Sequence, residues 1–138
     1  MSQLLWQNRF VRFQLPAILC AFFIFIGSSI PSEYFPSISI FEEDKLIHFV
    51  LFFALSFLTH RAIKFQTRYP YLSKYALGAS LLFTIVYGAL DEFHQTFVPG
   101  RFPDLLDLLA DSLGALFCFL ALYIWSKISS ASTESTNH

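Results

Sequence analysis

An all-α membrane protein, a bundle of four transmembrane helices, is the fold the sequence predicts, on the strength of its composition, four apolar runs and an uneven spread of Lys and Arg. Of 138 residues, 55% are hydrophobic and 14% charged, whereas soluble domains carry roughly one quarter charged residues. A spanning helix needs about 20 residues, so four spans with short connections nearly fill the chain and leave no room for a separate soluble catalytic domain. The expected organisation is one membrane domain over residues 1–128 and a disordered, Ser/Thr-rich tail over 129–138. The net charge of −1, with dispersed cations, lacks the basic footprint of a nucleic-acid binder. Cys20 and Cys118 fall in different apolar runs, without the close pairing of redox or metal motifs.

The first run, Phe13 to Ile30, is preceded by Arg9 and Arg12 and followed by Pro31 and Pro36. Pro16 falls in its first turn, where a missing N–H is tolerated. A signal peptide is the competing reading, because the run ends in Gly27-Ser28-Ser29, but it is long enough to span and has no clear small-x-small cleavage site. The second run, Leu46 to Thr59, is entered through Glu42-Glu43-Asp44-Lys45 and left through His60-Arg61, charges that agree with the helix dipole at both ends. The third, Leu72 to Leu90, carries Gly78, Ser80, Thr84 and Gly88, small residues that let helices approach in lipid and place this helix centrally. The fourth runs from Asp104 to Trp125, with Tyr123 and Trp125 at interfacial depth.

Orientation follows from the cations. Arg9, Arg12, Arg61, Lys64, Arg68, Lys74 and Lys127 flank one side, and only Lys45 and Arg101 the other. By the positive-inside rule both termini and the loop between the second and third spans are cytoplasmic. The loops at Pro31 to Asp44 and Thr96 to Pro103 then face outward.

The unusual polar residues sit beside those two loops. Asp104, Asp107 and Asp111 recur at i, i+3 and i+7, within an arc of about 60°, and Gly114 and Cys118 continue the stripe. Asp111 falls about 12 Å along the helix, where an ionised carboxylate exposed to lipid costs at least about 2.5 kcal/mol. Its candidate partners are His48, one turn after Asp44, and the Asp91, Glu92 and Gln95 that end the third helix. Six carboxylates face two permanent cations, Lys45 and Arg101, so at least one is expected to hold or share a proton. Such groups suit general acid–base work, and they suit equally a polar network that only pins helices together. Pro99-Gly100-Arg101 reads as a turn that offers a guanidinium to phosphate or carboxylate. Arg101 is expected to pair with Glu92, Asp107 or Asp111 if it serves inside the bundle. No short metal-binding spacing is present, and neither a metal nor a cofactor is expected.

The polar blocks Asp44-Lys45-Leu46-Ile47-His48-Phe49, Asp91-Glu92-Phe93-His94-Gln95-Thr96-Phe97-Val98-Pro99-Gly100-Arg101 and Asp107-Leu108-Leu109-Ala110-Asp111-Ser112-Leu113-Gly114 resemble the VanZ-like family of bacterial membrane proteins over about residues 40 to 120. The family is named for a member associated with resistance to the glycopeptide teicoplanin. Its characteristic positions correspond to Asp44, Lys45, His48, Glu92, Gln95, Pro99, Gly100, Arg101, Asp107 and Gly114. This chain departs from many members in having Asp111 where they have Asn, and Cys118 where they have a second Gly. The resemblance implies a multi-pass protein of the bacterial cytoplasmic membrane.

The expected function is a pocket, open to the outside, for the anionic headgroup of a membrane lipid or lipid-linked cell-wall component. Asp44, Lys45, Gln95 and Arg101 are its expected binding residues. The alternatives are a membrane-embedded hydrolase or group transferase, with His48, Glu92, Asp107 and Asp111 as catalytic candidates, and a small proton-coupled transporter.

Overall fold

The computed structural model describes residues 8–34 and 41–135. Among these every regular element is helical. A π-helical turn at Phe10–Gln14 leads into α1 (Leu15–Ser28), and a 3₁₀ turn at Ser32–Tyr34 follows. Then come α2 (Phe41–Lys64), the short α3 (Pro70–Lys74), α4 (Ala76–Gln95) and α5 (Leu105–Ser135). Four of these stretches, Phe10–Ser28, Asp44–Lys64, Ala76–Gln95 and Leu105–Ser132, are long and apolar enough to cross a membrane.

The elements differ from the sequence expectation mainly at their ends. The first span begins at Phe10 rather than Phe13, because a wider π turn, closed by the Leu15 N–H on the Phe10 carbonyl, precedes the proline. Residues Leu72 to Lys74 belong to α3 rather than to the third span, since the chain breaks helical geometry at Tyr75 (φ −103°, ψ 21°). α5 continues to Ser135, into the segment expected as a tail. Nothing from 129 to 135 is Gly or Pro, and the hydroxyls of Ser126, Ser130 and Ser132 turn back onto helix carbonyls three or four residues earlier.

α2 and α4 form the middle of the bundle, each touching all three other spans; among the described residues α1 and α5 do not meet. The interior is small and polar. Ser56, Thr59, Ser80, Thr84, Ala110, Ala115 and Cys118 are buried, whereas Phe23, Leu82, Phe93, Phe117 and Ile124 face outward. This is the pattern lipid selects, because hydrocarbon gives apolar side chains no reason to hide and rewards close helix contact. Gly114 lets α5 lie directly against the α2 backbone at Phe49 and Phe53, and Gly88 lets α4 approach Asp111 and the Phe52 ring. Gly78, expected in the same stripe, has nothing within 4 Å of where a Cβ would stand. Phe52 and Leu55 are fully buried beside Ile24, with Tyr87 packed against them. The Tyr87 hydroxyl donates to the Ala21 carbonyl at 2.6 Å, tying α4 to α1.

Candidate functional site

The C-terminal ends of α1 and α4 and the N-terminal ends of α2 and α5 lie together at one end of the bundle, joined by polar contacts. Ser28 Oγ donates to Asp91 Oδ1 at 2.5 Å, and Ser29 Oγ and His94 Nε2 share a hydrogen bond of 3.0 Å. Between α4 and α5 the link is Glu92, whose Oε2 accepts the Asp104 backbone N–H at 2.8 Å. Gln95 sits one turn further along α4 and donates to Asp91 Oδ2 at 3.2 Å and to Glu92 Oε1 at 3.5 Å.

Asp104 caps α5. Its Oδ1 accepts the Leu106 N–H at 2.8 Å, and its carbonyl accepts the N–H groups of Asp107 and Leu108, as a helix N-cap should. Lys45, in the first turns of α2, donates to Asp104 Oδ2 at 2.6 Å and also to Asp107 Oδ1. The ammonium, aided by the Leu106 N–H, holds the Asp104 carboxyl below its usual range. The stability from this contact is therefore present above the ordinary carboxylate pKa and is lost as pH falls through the lowered value.

One turn deeper, His48 Nδ1 and Asp111 Oδ1 share a hydrogen bond of 2.9 Å. Asp111 is fully buried, and its Oδ2, beside Gly88, has no hydrogen-bond partner among the described residues. His48 stands at the junction of two groups of possible ligand atoms, each with all atoms within 4.8 Å of one another. One is Asp44, His48 and Asp107; the other is His48, Glu92 and Asp111.

Arg101 goes elsewhere than expected. Val98 O accepts the Arg101 N–H at 3.1 Å across Pro99 and Gly100, and Gly100 has φ 73°, the positive value a type II turn requires at that position. The turn carries Arg101 toward α1, where Nε donates to the Ile30 carbonyl at 3.2 Å and Nη2 to the Gly27 carbonyl at 3.5 Å. A cation suits the exposed carbonyls that end a helix. The hydrogen bonds of Glu92, Asp107 and Asp111 described above run instead to Asp104 N–H and Gln95, to Lys45 and to His48.

Two clefts adjoin at this end. The wider, about 420 Å³, is lined by Asp44, Lys45, Gln95, Arg101, Asp104 and Asp107, with Gly100 and Phe102 at its edge. The narrower, about 210 Å³, lies between α1 and α2. Its walls are Phe23, Ile24, Ile47, Leu51 and Phe52, and its polar boundary includes His48 and Asp91. Asp44, Gln95 and Arg101 border both. All eight residues singled out in the sequence thus gather at one end: six line the clefts, and Glu92 and Asp111 stand behind His48. Asp91 and Ser28 complete the network without having been singled out as site residues. The signal for Ser28 was present in Gly27-Ser28-Ser29, a polar break at the end of an apolar run, the same feature that suggested the competing signal-peptide reading.

A multi-pass helical membrane protein, with a polar network gathered at one end of an otherwise lipid-facing bundle, is the class this arrangement defines. Within that class the chain belongs to the VanZ/LLP1 family, whose model matches residues 13–126. No curated protein and no solved structure matches it.

Proposed function

We propose that this protein resides in the bacterial cytoplasmic membrane and that its paired clefts, facing outward, hold the anionic headgroup of a lipid or lipid-linked cell-wall component. The observation that carries this reading is the continuity of an apolar slot with a polar cleft through Asp44, Gln95 and Arg101. A molecule with an acyl or prenyl chain and a polar head matches both halves. Ile47 and Leu51 are exposed on the outside of α2, so a chain can enter from the bilayer without leaving hydrocarbon. Lys45 and Arg101 supply the cationic lining, Arg101 with a planar fork suited to phosphate.

Native mass spectrometry of the protein extracted in mild detergent tests this directly. A retained phosphate-bearing lipid is the expected result. Leu51→Trp, which fills the slot, should remove it, and Arg101→Lys, which keeps the charge but loses the fork, should weaken retention about tenfold. A wild-type protein free of lipid, or a Leu51→Trp variant that keeps the lipid, would argue against the clefts as its site.

The outward direction has its own check. With native Cys20 and Cys118 replaced, Phe102→Cys, at an exposed position, should react with an impermeant thiol reagent on intact cells, and Thr67→Cys at the opposite end should not. The reverse pattern would place the clefts in the cytoplasm.

A hydrolase or transferase is the second reading, favoured by the hydrogen bond between His48 and the buried Asp111. A carboxylate that orients an imidazole prepares it for proton transfer. On this reading His48→Ala inserts and folds normally yet abolishes lipid turnover.

A further inference from the structure

The geometry points to a divalent transition-metal site on the floor of the clefts, formed by His48 of α2, Glu92 of α4 and Asp111 of α5. Three observations converge on these residues. First, one ligand atom from each lies within 4.8 Å of the others, although the residues come from three different helices. Second, the separation of His48 Nδ1 from Asp111 Oδ1, 2.9 Å, matches neighbouring ligand atoms around an octahedral ion with bonds of about 2.1 Å, which stand about 3 Å apart. Glu92 offers a carboxylate oxygen within 4.8 Å of both. Third, Asp111 Oδ2 is a wholly buried carboxylate oxygen without a hydrogen-bond partner among the described residues. In hydrocarbon such an oxygen is costly, and a cation bound to the carboxylate removes the cost.

The ligand set selects the metal. One imidazole and two carboxylates suit Mn²⁺, Fe²⁺ or Zn²⁺ better than the all-oxygen environment preferred by Ca²⁺ and Mg²⁺. Gly88, one turn before Glu92, leaves the Asp111 carboxylate room that a side chain would occupy. The neighbouring group Asp44, His48 and Asp107 is the weaker candidate, because Asp107 already engages Lys45 and Asp44 is only half-buried. Bound here, the ion adds positive charge to an end of the bundle crowded with carboxylates, which favours an anionic ligand above it. The site stands whether or not lipid fills the clefts, and its test involves no lipid.

Full-length protein in detergent, stripped with chelator, is titrated with MnCl₂ followed by electron paramagnetic resonance and, separately, with ZnCl₂ followed by equilibrium dialysis and metal analysis. One equivalent per chain is expected, with micromolar or tighter affinity for at least one of the two ions and a rise in melting temperature on binding. Glu92→Gln and Asp111→Asn, which preserve shape, should each weaken binding at least tenfold and lose the metal-dependent rise in melting. Asp44→Asn should leave both unchanged. No saturable binding of either ion by wild-type protein overturns the proposal. Binding that survives Glu92→Gln and Asp111→Asn but falls with Asp44→Asn overturns it too, by placing the ion in the neighbouring group. If a variant fails to fold without metal, the wild-type stoichiometry and the remaining variants still decide.

Discussion

Gly114→Ala is expected to force α2 and α5 apart and to lower stability in detergent by about 3 kcal/mol, the upper part of the usual range for overpacking. A Cβ at this position would collide with the Phe49 carbonyl oxygen and stand 3.0 Å from the Phe53 nitrogen. Both are backbone atoms inside a helix, so no rotamer change relieves the contact and the whole helix must move. Gly114→Leu should be worse. Gly88→Ala meets the Asp111 carboxylate at 3.0 Å and the Phe52 ring at 3.1 Å, side chains that can give by a few tenths of an ångström, and should cost about 1 kcal/mol. Gly78→Ala has open space and should be neutral, or stabilising by up to about 1 kcal/mol through helix propensity. Thermal denaturation of the three alanine variants in one detergent gives the ranking. Wild-type melting of Gly114→Ala would mean that α2 and α5 do not pack as described.

Lys45→Met should be the most damaging change at a charged position. Asp107 is 7% exposed, and removing one partner of a buried pair typically costs 3–5 kcal/mol, because the other charge stays buried. Lys45 keeps a side-chain exposure of 23%, so a loss of about 3 kcal/mol is expected. The double variant Lys45→Met, Asp107→Asn should recover part of it, since the stranded charge is gone. Melting curves of the two single variants and the double form a double-mutant cycle, and strictly additive losses would show that the two side chains do not interact. At acid pH the comparison should change: once Asp104, whose carboxyl Lys45 holds below its usual range, is protonated, that share of the Lys45 contact is lost and the gap between wild type and Lys45→Met should narrow.

What could be read from the sequence was whatever lies on a single helix. The stripe of Asp107, Asp111, Gly114 and Cys118 follows from helical period alone, and all four residues are buried. The joint use of one bundle end followed from polar residues clustering beside alternate loops. Relations between helices were harder, because the rotation of each helix about its own axis is set by packing and not by any local signal. Hence Arg101 was expected among the carboxylates, whereas a turn with φ 73° at Gly100 carries it to the end of α1. The Ser28–Asp91 bond depends on how α1 docks, and the apolar run of α1 has no polar stripe to show it. The grouping of His48, Glu92 and Asp111 spans three helices, so no spacing rule could reveal it. Helix ends were misplaced where backbone details decide, as at Tyr75 and at the π turn that extends the first span from Phe13 back to Phe10.

The pairing of Lys45 and His48 on α2 with Asp104, Asp107 and Asp111 on α5 also bears on how the protein is made. α2 is synthesised first and enters the bilayer with its basic groups still waiting for partners. α5 follows later, apolar enough to insert although each aspartate at mid-helix opposes insertion by about 3 kcal/mol. Until the two helices meet, each would turn polar groups toward lipid, which is costly. Their union hides both faces at once, so the same charges that line the clefts also favour the docking of α5 onto α2.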